Sequence, residues 1–337
     1  MFTELLELTP SGLCCPAGDF YIDPWRPVDR AIITHAHADH ARPGSRRYLA
    51  AKSCEDVLRC RLGQDIDLRV LDYGERIDVN GVTVSLHPAG HVLGSAQVRL
   101  ERDGDVAVVS GDYKRQADAT CAPFEPVRCR TFVTESTFGL PIYRWDEPRA
   151  VFAEIDAWWR VNAAAGEASL LLAYALGKAQ RLMAGVDASI GPIYTHGATE
   201  RVTRAYRDSG VSLPATIPLG EGKRGPNLAG SLVIAPPSAE GTPWAKKLGP
   251  YSAAVASGWM RVRGTRRRRS VDRGFVLSDH ADWPGLLDTI RETGAENVLV
   301  THGSSTSLVR VLRELGLKAD VLETHFADDP QDAEGHG

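Results

Sequence analysis

The sequence lacks the long apolar runs of a membrane protein and the cysteine density of a disulfide scaffold. No apolar run reaches the ~18 residues that a spanning helix needs, and the first residues show no basic stretch followed by an apolar one. Six cysteines occur in 337 residues, and none forms a CxxC pair. We therefore expect reduced thiols in a cytoplasmic protein, with no secretory signal and no contact with a membrane.

The chain as a whole also lacks an excess of positive charge. Its formal net charge is -4, and with 43% hydrophobic and 24% charged residues it has the composition of an ordinary globular protein. The charge is uneven, because arginines concentrate between Arg261 and Arg273 while the last residues are acidic. A local basic segment is compatible with a nucleic-acid substrate but does not require one.

The length of 337 residues predicts about two domains, at roughly 150 residues per domain. The first third reads as short strands, with hairpin turns at Asn80-Gly81 and Asp103-Gly104. From residue 147 strands and helices alternate, which predicts a small α/β unit with a parallel sheet. The predicted helices are 52–60, 147–165, 177–188, 199–208, 283–293 and 305–315.

The strongest chemical signal is the segment Thr34-His35-Ala36-His37-Ala38-Asp39-His40. It places four potential metal ligands within six residues, directly after the apolar strand 31–33. His91 and Asp112 follow later strands, where a rigid sheet can present ligands on loops. Imidazole nitrogen and carboxylate oxygen together suit Zn²⁺ or Mn²⁺.

This pattern resembles the metallo-β-lactamase fold, and within it the β-CASP nucleases. Further segments match that group in order: 89–95, 135–139, 278–282 and 301–303. Among its branches the chain is most similar to the bacterial DNA ligase-associated exonuclease family. The resemblance implies an α/β protein, an αββα sandwich with an inserted β-CASP α/β cap. The sandwich would comprise residues 1–144 and 270–327, the cap 145–269, and a mobile acidic tail 328–337.

The resemblance also implies roles for individual residues. His35, His37 and His91 would hold one metal ion; Asp39, His40 and His302 would hold a second, with Asp112 bridging. Asp23 would brace the metal loop. The two ions, Zn²⁺ or Mn²⁺, would hold the hydroxide that attacks the phosphodiester. His280, held by Glu135, would protonate the leaving oxygen, so that Asp39, Glu135 and His280 form the catalytic set.

Contacts with nucleic acid are predicted in the cap. Gly177 would expose a helix N-terminus to a phosphate. Side chains that would add positive charge are Lys178, Arg181, Arg266, Arg267, Arg268 and Arg269. For Lys178 and Arg181, a solvated helix face is an equal alternative. Trp244, Tyr251 and Trp259 are expected to pack in the core rather than stack on bases.

The leading hypothesis is a two-metal DNA exonuclease that acts in repair with a DNA ligase and a helicase. An RNA nuclease of the ribonuclease J or polyadenylation-endonuclease type is the alternative, because DNA-cleaving eukaryotic members of the group often lack a histidine equivalent to His302. A small-molecule hydrolase would not explain Glu135, His280 and the cap, and the full ligand set argues against a non-catalytic scaffold. Exonuclease or endonuclease action, polarity, strandedness and native metal stay open.

Overall fold

The computed structural model describes residues 5–220, 227–262 and 271–324. These residues form two compact units, the first of 5–144 with 280–324 and the second of 145–279. The predicted arginine run 266–269 and the predicted acidic tail 328–337 lie outside the described residues. In the part of the chain that is described, no helix combines the length and the apolarity needed to cross a bilayer.

The strands are numbered in chain order. They are β1 (Glu7–Thr9), β2 (Gly12–Cys15), β3 (Phe20–Ile22), β4 (Arg30–Ile32), β5 (Arg47–Ala51), β6 (Leu68–Leu71), β7 (Arg76–Val79), β8 (Val82–Pro88), β9 (Ala96–Arg102), β10 (Asp105–Val109), β11 (Thr131–Glu135), β12 (Ala168–Leu172), β13 (Ile193–His196), β14 (Thr216–Leu219), β15 (Leu232–Ala235), β16 (Tyr251–Ala256), β17 (Arg273–Phe275), β18 (Asn297–Thr301) and β19 (Lys318–Val321).

The α-helices of the described residues are numbered in the same way. They are α1 (Glu55–Leu62), α2 (Pro148–Ala164), α3 (Lys178–Gly185), α4 (Gly197–Asp208), α5 (Trp283–Thr293) and α6 (Ser305–Glu314). A short 3₁₀ turn, Lys52–Cys54, precedes α1.

Two sheets face each other in the first unit. One has the order β1-β2-β3-β4-β5-β6, and the other has the order β19-β18-β11-β10-β9-β8-β7. Side chains from both meet in one core, with Phe20 and Ile22 from the first sheet and Val84 and Val98 from the second. A second core lies on the other face of the second sheet, where α5 and α6 pack on it with residues such as Leu286 and Leu312.

The second unit is built on a parallel sheet of order β14-β13-β15-β12-β16-β17. Its central strands β12 and β15 are buried along their whole length, as expected when a parallel sheet is covered on both sides. Helices α2 and α3 supply Trp159 and Leu182 to one core of this unit. Trp244, Tyr251 and Trp259 pack against another.

The boundary after the second unit differs from the predicted one. Strand β17 pairs with β16 in the sheet of the second unit, with Arg273 opposite Ala254. The chain therefore returns to the first unit at His280 rather than at residue 270. The predicted sandwich includes residues 270–279, because sequence periodicity does not show which sheet a strand joins.

Candidate metal centre

The candidate ligands of the first unit lie where strands end. The loop that contains His35 follows β4, His91 follows β8, Asp112 follows β10 and His302 follows β18. Strands β10, β11 and β18 are parallel neighbours, and β8 runs in the same direction as β10 because both are antiparallel to β9. Their carboxyl ends therefore meet at one edge of the second sheet.

One donor group consists of three histidines and a carboxylate. Ligand atoms of His35, His37, His91 and Asp112 lie within 4.8 Å of one another. Nδ1 of His37 is 3.1 Å from Nε2 of His35 and 3.1 Å from Nε2 of His91. Three ring nitrogens that converge with a carboxylate oxygen form a donor set typical of Zn²⁺ and also suitable for Mn²⁺.

A second donor group shares Asp112 with the first. Ligand atoms of His40, Asp112 and His302 lie within 4.8 Å of one another. Oδ2 of Asp39 is 3.4 Å from Nε2 of His40, so Asp39 lies beside this group. Among the described residues no hydrogen-bond donor reaches Oδ1 of Asp112, although that side chain is buried. A buried carboxylate oxygen without a donor costs free energy, and a cation would satisfy it.

The loop that carries four of these residues is anchored by Asp23. Its Oδ1 accepts from the backbone N–H of Thr34 at 2.7 Å, and its Oδ2 lies 2.7 Å from Nδ1 of His40. The Thr34 hydroxyl donates to the same carboxylate at 2.5 Å. Gly111 lets the next loop approach, since a Cβ there would lie 2.6 Å from Thr34 Oγ1. These contacts direct Nε2 of His40 towards Asp112.

The charges of the centre shift the pKa values of its side chains. Burial opposes ionisation of Asp112, yet the neighbouring His40 and His280 hold its pKa well below the usual range. Burial also disfavours the cation of His40, but Asp39, Asp112 and Asp23 raise its pKa well above the ordinary value. Burial, with His40 nearby, lowers the pKa of His35 far enough to keep it in the neutral form that binds metals.

His280 and Glu135 form a hydrogen-bonded pair beside the donor groups. Nδ1 of His280 is 2.9 Å from Oε2 of Glu135. The backbone N–H of Tyr113 donates to the other carboxylate oxygen at 2.7 Å, and Thr137 Oγ1 donates to Oε2 at 2.6 Å. The Glu135 side chain is fully buried, whereas that of His280 is 17% exposed. The glutamate is thus fixed, and the histidine is only partly exposed.

Sequence reasoning assigned no role to Ser136, which fixes the loop of His302. Its hydroxyl donates to the carbonyls of Thr301 and His302, and Ser305 Oγ also donates to the His302 carbonyl, at 2.8 Å. His302 has φ 58°, a left-handed conformation that is unfavourable for a non-glycine residue. The signal available in the sequence was its position directly after Glu135.

The structure corrects the predicted phosphate contacts of α3. Lys178 and Arg181 are buried, and both pair with Asp279, at 2.7 Å and 3.2 Å. The backbone N–H of Gly177 donates to Oε1 of Gln180 at 2.8 Å. These side chains are thus internal ion pairs rather than a phosphate-binding helix end. Arg266, Arg267, Arg268 and Arg269 lie outside the described residues.

Comparison with known proteins gives relatives in two functional groups. No protein-family profile matches the chain. A "Probable DNA ligase" of Opitutus terrae is 30% identical over 310 residues, which are 91% of this chain and 30% of that protein. "Endoribonuclease YSH1" of Saccharomyces cerevisiae is 32% identical over 124 residues, 36% of this chain and 15% of that protein. The chain therefore spans less than a third of the length of either relative.

A solved structure shares its fold with nearly the whole chain. A protein of unknown function from Enterococcus faecalis superposes with a TM-score of 0.59 at 11% identity, covering 89% of this chain and 80% of that one. This superposition and the relatives together identify the architecture. The fold is a metallo-β-lactamase sandwich with a β-CASP domain. The predicted fold class is confirmed, and the relatives support a β-CASP nuclease family. The ligase-associated branch stays a prediction.

Proposed function

We propose that this β-CASP chain is a two-metal-dependent nuclease that hydrolyses DNA phosphodiester bonds, acting as an exonuclease in repair. The observation that carries the proposal is the position of Asp112 in both donor groups, with the His280–Glu135 pair at the same carboxylate. A single structural histidine cluster would need neither a shared carboxylate nor an adjacent histidine–glutamate pair.

The donor groups assign the ligands. His35, His37 and His91 would hold one ion, His40, His302 and Asp39 the other, with Asp112 between them. When bound, two divalent cations supply Lewis-acid stabilisation of the negative charge that a phosphodiester gathers during hydrolysis. Asp23 acts through the loop by orienting His40.

His280 is the group that moves a proton. Glu135 binds its Nδ1, so Nε2, on the opposite side of the ring, is the nitrogen directed away from the glutamate. A protonated Nε2 can donate to the leaving sugar oxygen as general acid. Glu135 holds the ring in this orientation through the contact of its Oε2 with Nδ1.

A DNA ligase is the proposed partner. The Opitutus terrae protein bears that name, and this chain aligns with under a third of it, so a segment similar to this chain is joined to other segments there. A helicase of the same pathway rests on the family resemblance alone, and a cytoplasmic location rests on the cysteine usage of the sequence.

RNA is the second candidate substrate. The yeast relative is named an endoribonuclease, and His302 lies within the second donor group, as expected for RNA-cleaving members. The donor geometry suits either nucleic acid, because both present the same phosphodiester group.

Single-stranded DNA and RNA of one sequence, labelled at either end and supplied with Zn²⁺ or Mn²⁺, distinguish the two. We expect progressive shortening of DNA from one end. His37→Ala should abolish cleavage, and His196→Ala should not, since His196 caps α4 in the second unit. Internal cleavage of RNA alone would favour the second candidate, and failure of the wild type to cleave either polymer would refute both.

A further inference from the structure

A buried lysine–aspartate pair lies in the segment that follows Asp112 and is not part of the donor groups. Nζ of Lys114 is 2.5 Å from Oδ2 of Asp118, and the two side chains are 0% and 3% exposed. Oδ1 of Asp118 accepts from the backbone N–H of Thr120 at 2.9 Å and from its hydroxyl at 2.7 Å. The pair therefore closes a compact turn over residues 114–120.

This turn contacts the turn that presents His91. The backbone N–H of Lys114 donates to the carbonyl of Ala89 at 3.0 Å. A Cβ on Gly90 would lie 2.5 Å from the carbonyl oxygen of Lys114, so the two backbones touch there. Sγ of Cys121 lies 3.5 Å from the carbonyl oxygen of Gly90. The segment that begins at Asp112 is thus packed against the residues directly before His91.

Stability alone does not account for this ion pair. Moving two charges out of water is costly, and a well-packed apolar pair of similar volume is often at least as stabilising. A salt bridge does, however, fix the distance and direction between two points of a chain. Here one of those points is Lys114, whose backbone N–H donates to the Ala89 carbonyl, and the other is Asp118, four residues further along the same segment.

We propose that Lys114 and Asp118 are positioning residues of the metal centre. Their ion pair holds the backbone of Lys114 against Ala89 and Gly90, and thereby sets the separation of His91 and Asp112, whose Nε2 and Oδ2 atoms are 3.8 Å apart. The inference rests on the proposed metal centre. It assigns the pair to metal affinity and geometry, with no contact to substrate.

The test compares Lys114→Met, Asp118→Leu and the double variant in the full chain, loaded with Co²⁺. Each single variant should lower the melting temperature by roughly 10 °C, because it leaves one buried charge unpaired. The double variant should recover most of that loss. Its Co²⁺ affinity at one site should nevertheless stay roughly 10- to 100-fold weaker, the usual effect of losing an outer partner of a ligand, with a changed visible spectrum.

Two further variants keep the test decisive. Asp118→Asn preserves the shape of the side chain and removes its charge, so it should show the same loss of affinity even if the apolar variants fold poorly. Leu312→Ala, in the core under α6, should lower the melting temperature without altering the Co²⁺ spectrum.

The outcomes separate this inference from the proposed function. A double variant, or Asp118→Asn, with wild-type affinity and spectrum would make the pair purely structural and overturn the inference. If the wild type binds no Co²⁺, or if His91→Ala leaves its spectrum unchanged, the metal centre itself is refuted, and both proposals fall with it.

Discussion

Asp112 is the residue on which the candidate centre depends. Its Oδ2 lies 3.5 Å from Nε2 of His35, 3.5 Å from Nε2 of His40 and 3.8 Å from Nε2 of His91. It is buried, and its histidine neighbours hold its pKa well below the usual range, so it is ionised at neutral pH. A fixed anion between histidine clusters is suited to bridging two cations.

His280 is predicted to contribute to proton transfer rather than to metal retention. His280→Ala should lower kcat roughly 10²- to 10⁴-fold, the range typical for loss of a general acid. Steady-state kinetics on an end-labelled oligonucleotide measure kcat, and elemental analysis of the purified variant measures bound metal. Glu135→Gln is the matched variant, and it should lower kcat in the same direction by disturbing the orientation of the ring.

Either of two results would contradict this role. An unchanged kcat in His280→Ala would remove the histidine from the reaction. A loss of metal equal to that in His37→Ala would instead make it a ligand, which is chemically feasible because His280, Glu135 and Asp112 bring ligand atoms within 4.8 Å of one another.

The buried thiol of Cys54 gives a prediction about chemical reactivity. Burial raises the pKa of the Cys54 thiol to about 12, whereas an exposed thiol ionises near ~8.5. The thiolate is the reactive form. Iodoacetamide at pH 8 should therefore modify Cys54 only after unfolding, as peptide mass spectrometry would show. Rapid modification in the native protein would contradict the burial.

The raised pKa of Cys54 also makes the stability of the fold depend on pH. The folded state keeps the Cys54 proton, and the unfolded state releases it above about pH 8.5. The contribution of this thiol to stability is therefore constant below that pH and decreases as the pH rises. Cys54→Ser, with a hydroxyl that does not titrate in this range, should lose this part of the alkaline destabilisation.

At the scale of elements, α5 shows how local sequence sets helix boundaries. Asp282 caps its N-terminus by accepting from the backbone N–H of Gly285 at 3.0 Å, a proline occupies the first turn, and Gly294 ends the helix with φ 67°. A capping carboxylate, an early proline and a glycine after the last turn are all readable from sequence. The predicted helix 283–293 has the observed bounds.

Loss of that cap has a predictable cost. Asp282→Ala should lower the free energy of unfolding by about 1 kcal/mol, because one helix N–H loses its acceptor. The change is measured as a shift of the urea midpoint. Asp288→Ala is the control, since Asp288 pairs with Arg291 on the exposed surface of the same helix, and it should change stability by less than half as much. Equal shifts of the urea midpoint in the two variants would show that loss of the cap does not cause the destabilisation.

Several strands are not predicted by the sequence, and one physical reason explains why. Tyr251–Ala256 is rich in alanine, which has low strand propensity, yet it pairs with β12 on one side and β17 on the other. Strands β1 and β2 are only three and four residues long. Pairing partners distant in the chain stabilise these segments, and periodicity within a short window does not report them.

At the scale of the molecule, the candidate centre joins distant parts of one unit. Its donors extend from His35 to His302, and the second unit is inserted between Arg144 and His280. These donors come from four strand ends and are not brought together in the unfolded chain, so the binding free energy of a metal ion would add to stability.

Removal of metal should therefore destabilise the protein. Dialysis against a chelator should lower the melting temperature by roughly 10 °C if the bound ions are present at ~1,000 times their Kd. Calorimetry before and after re-addition of Zn²⁺ or Mn²⁺ measures the shift. Asp112→Asn, which weakens the shared ligand, should show little response to the chelator. A wild type with the same melting temperature in both states would contradict a structural contribution of the metal.

The linear sequence determined the chemistry of this protein and the class of its fold. Residue types and their spacing from His35 to Asp112 specified a nitrogen and oxygen donor set, because ligand preference is a property of the side chains themselves. Alternating strands and helices specified the α/β insertion, because periodicity follows from local backbone geometry.

Only the tertiary structure decided which charged side chains are exposed and which are buried in ion pairs. The sequence predicts exposed cations at Lys178 and Arg181, but folding buries both against Asp279. No sequence pattern indicates the pairing of Lys114 with Asp118, which folding brings about beside the His91 turn. The burial of a charge and the identity of its partner depend on packing between segments far apart in the chain, which no local pattern of residues encodes.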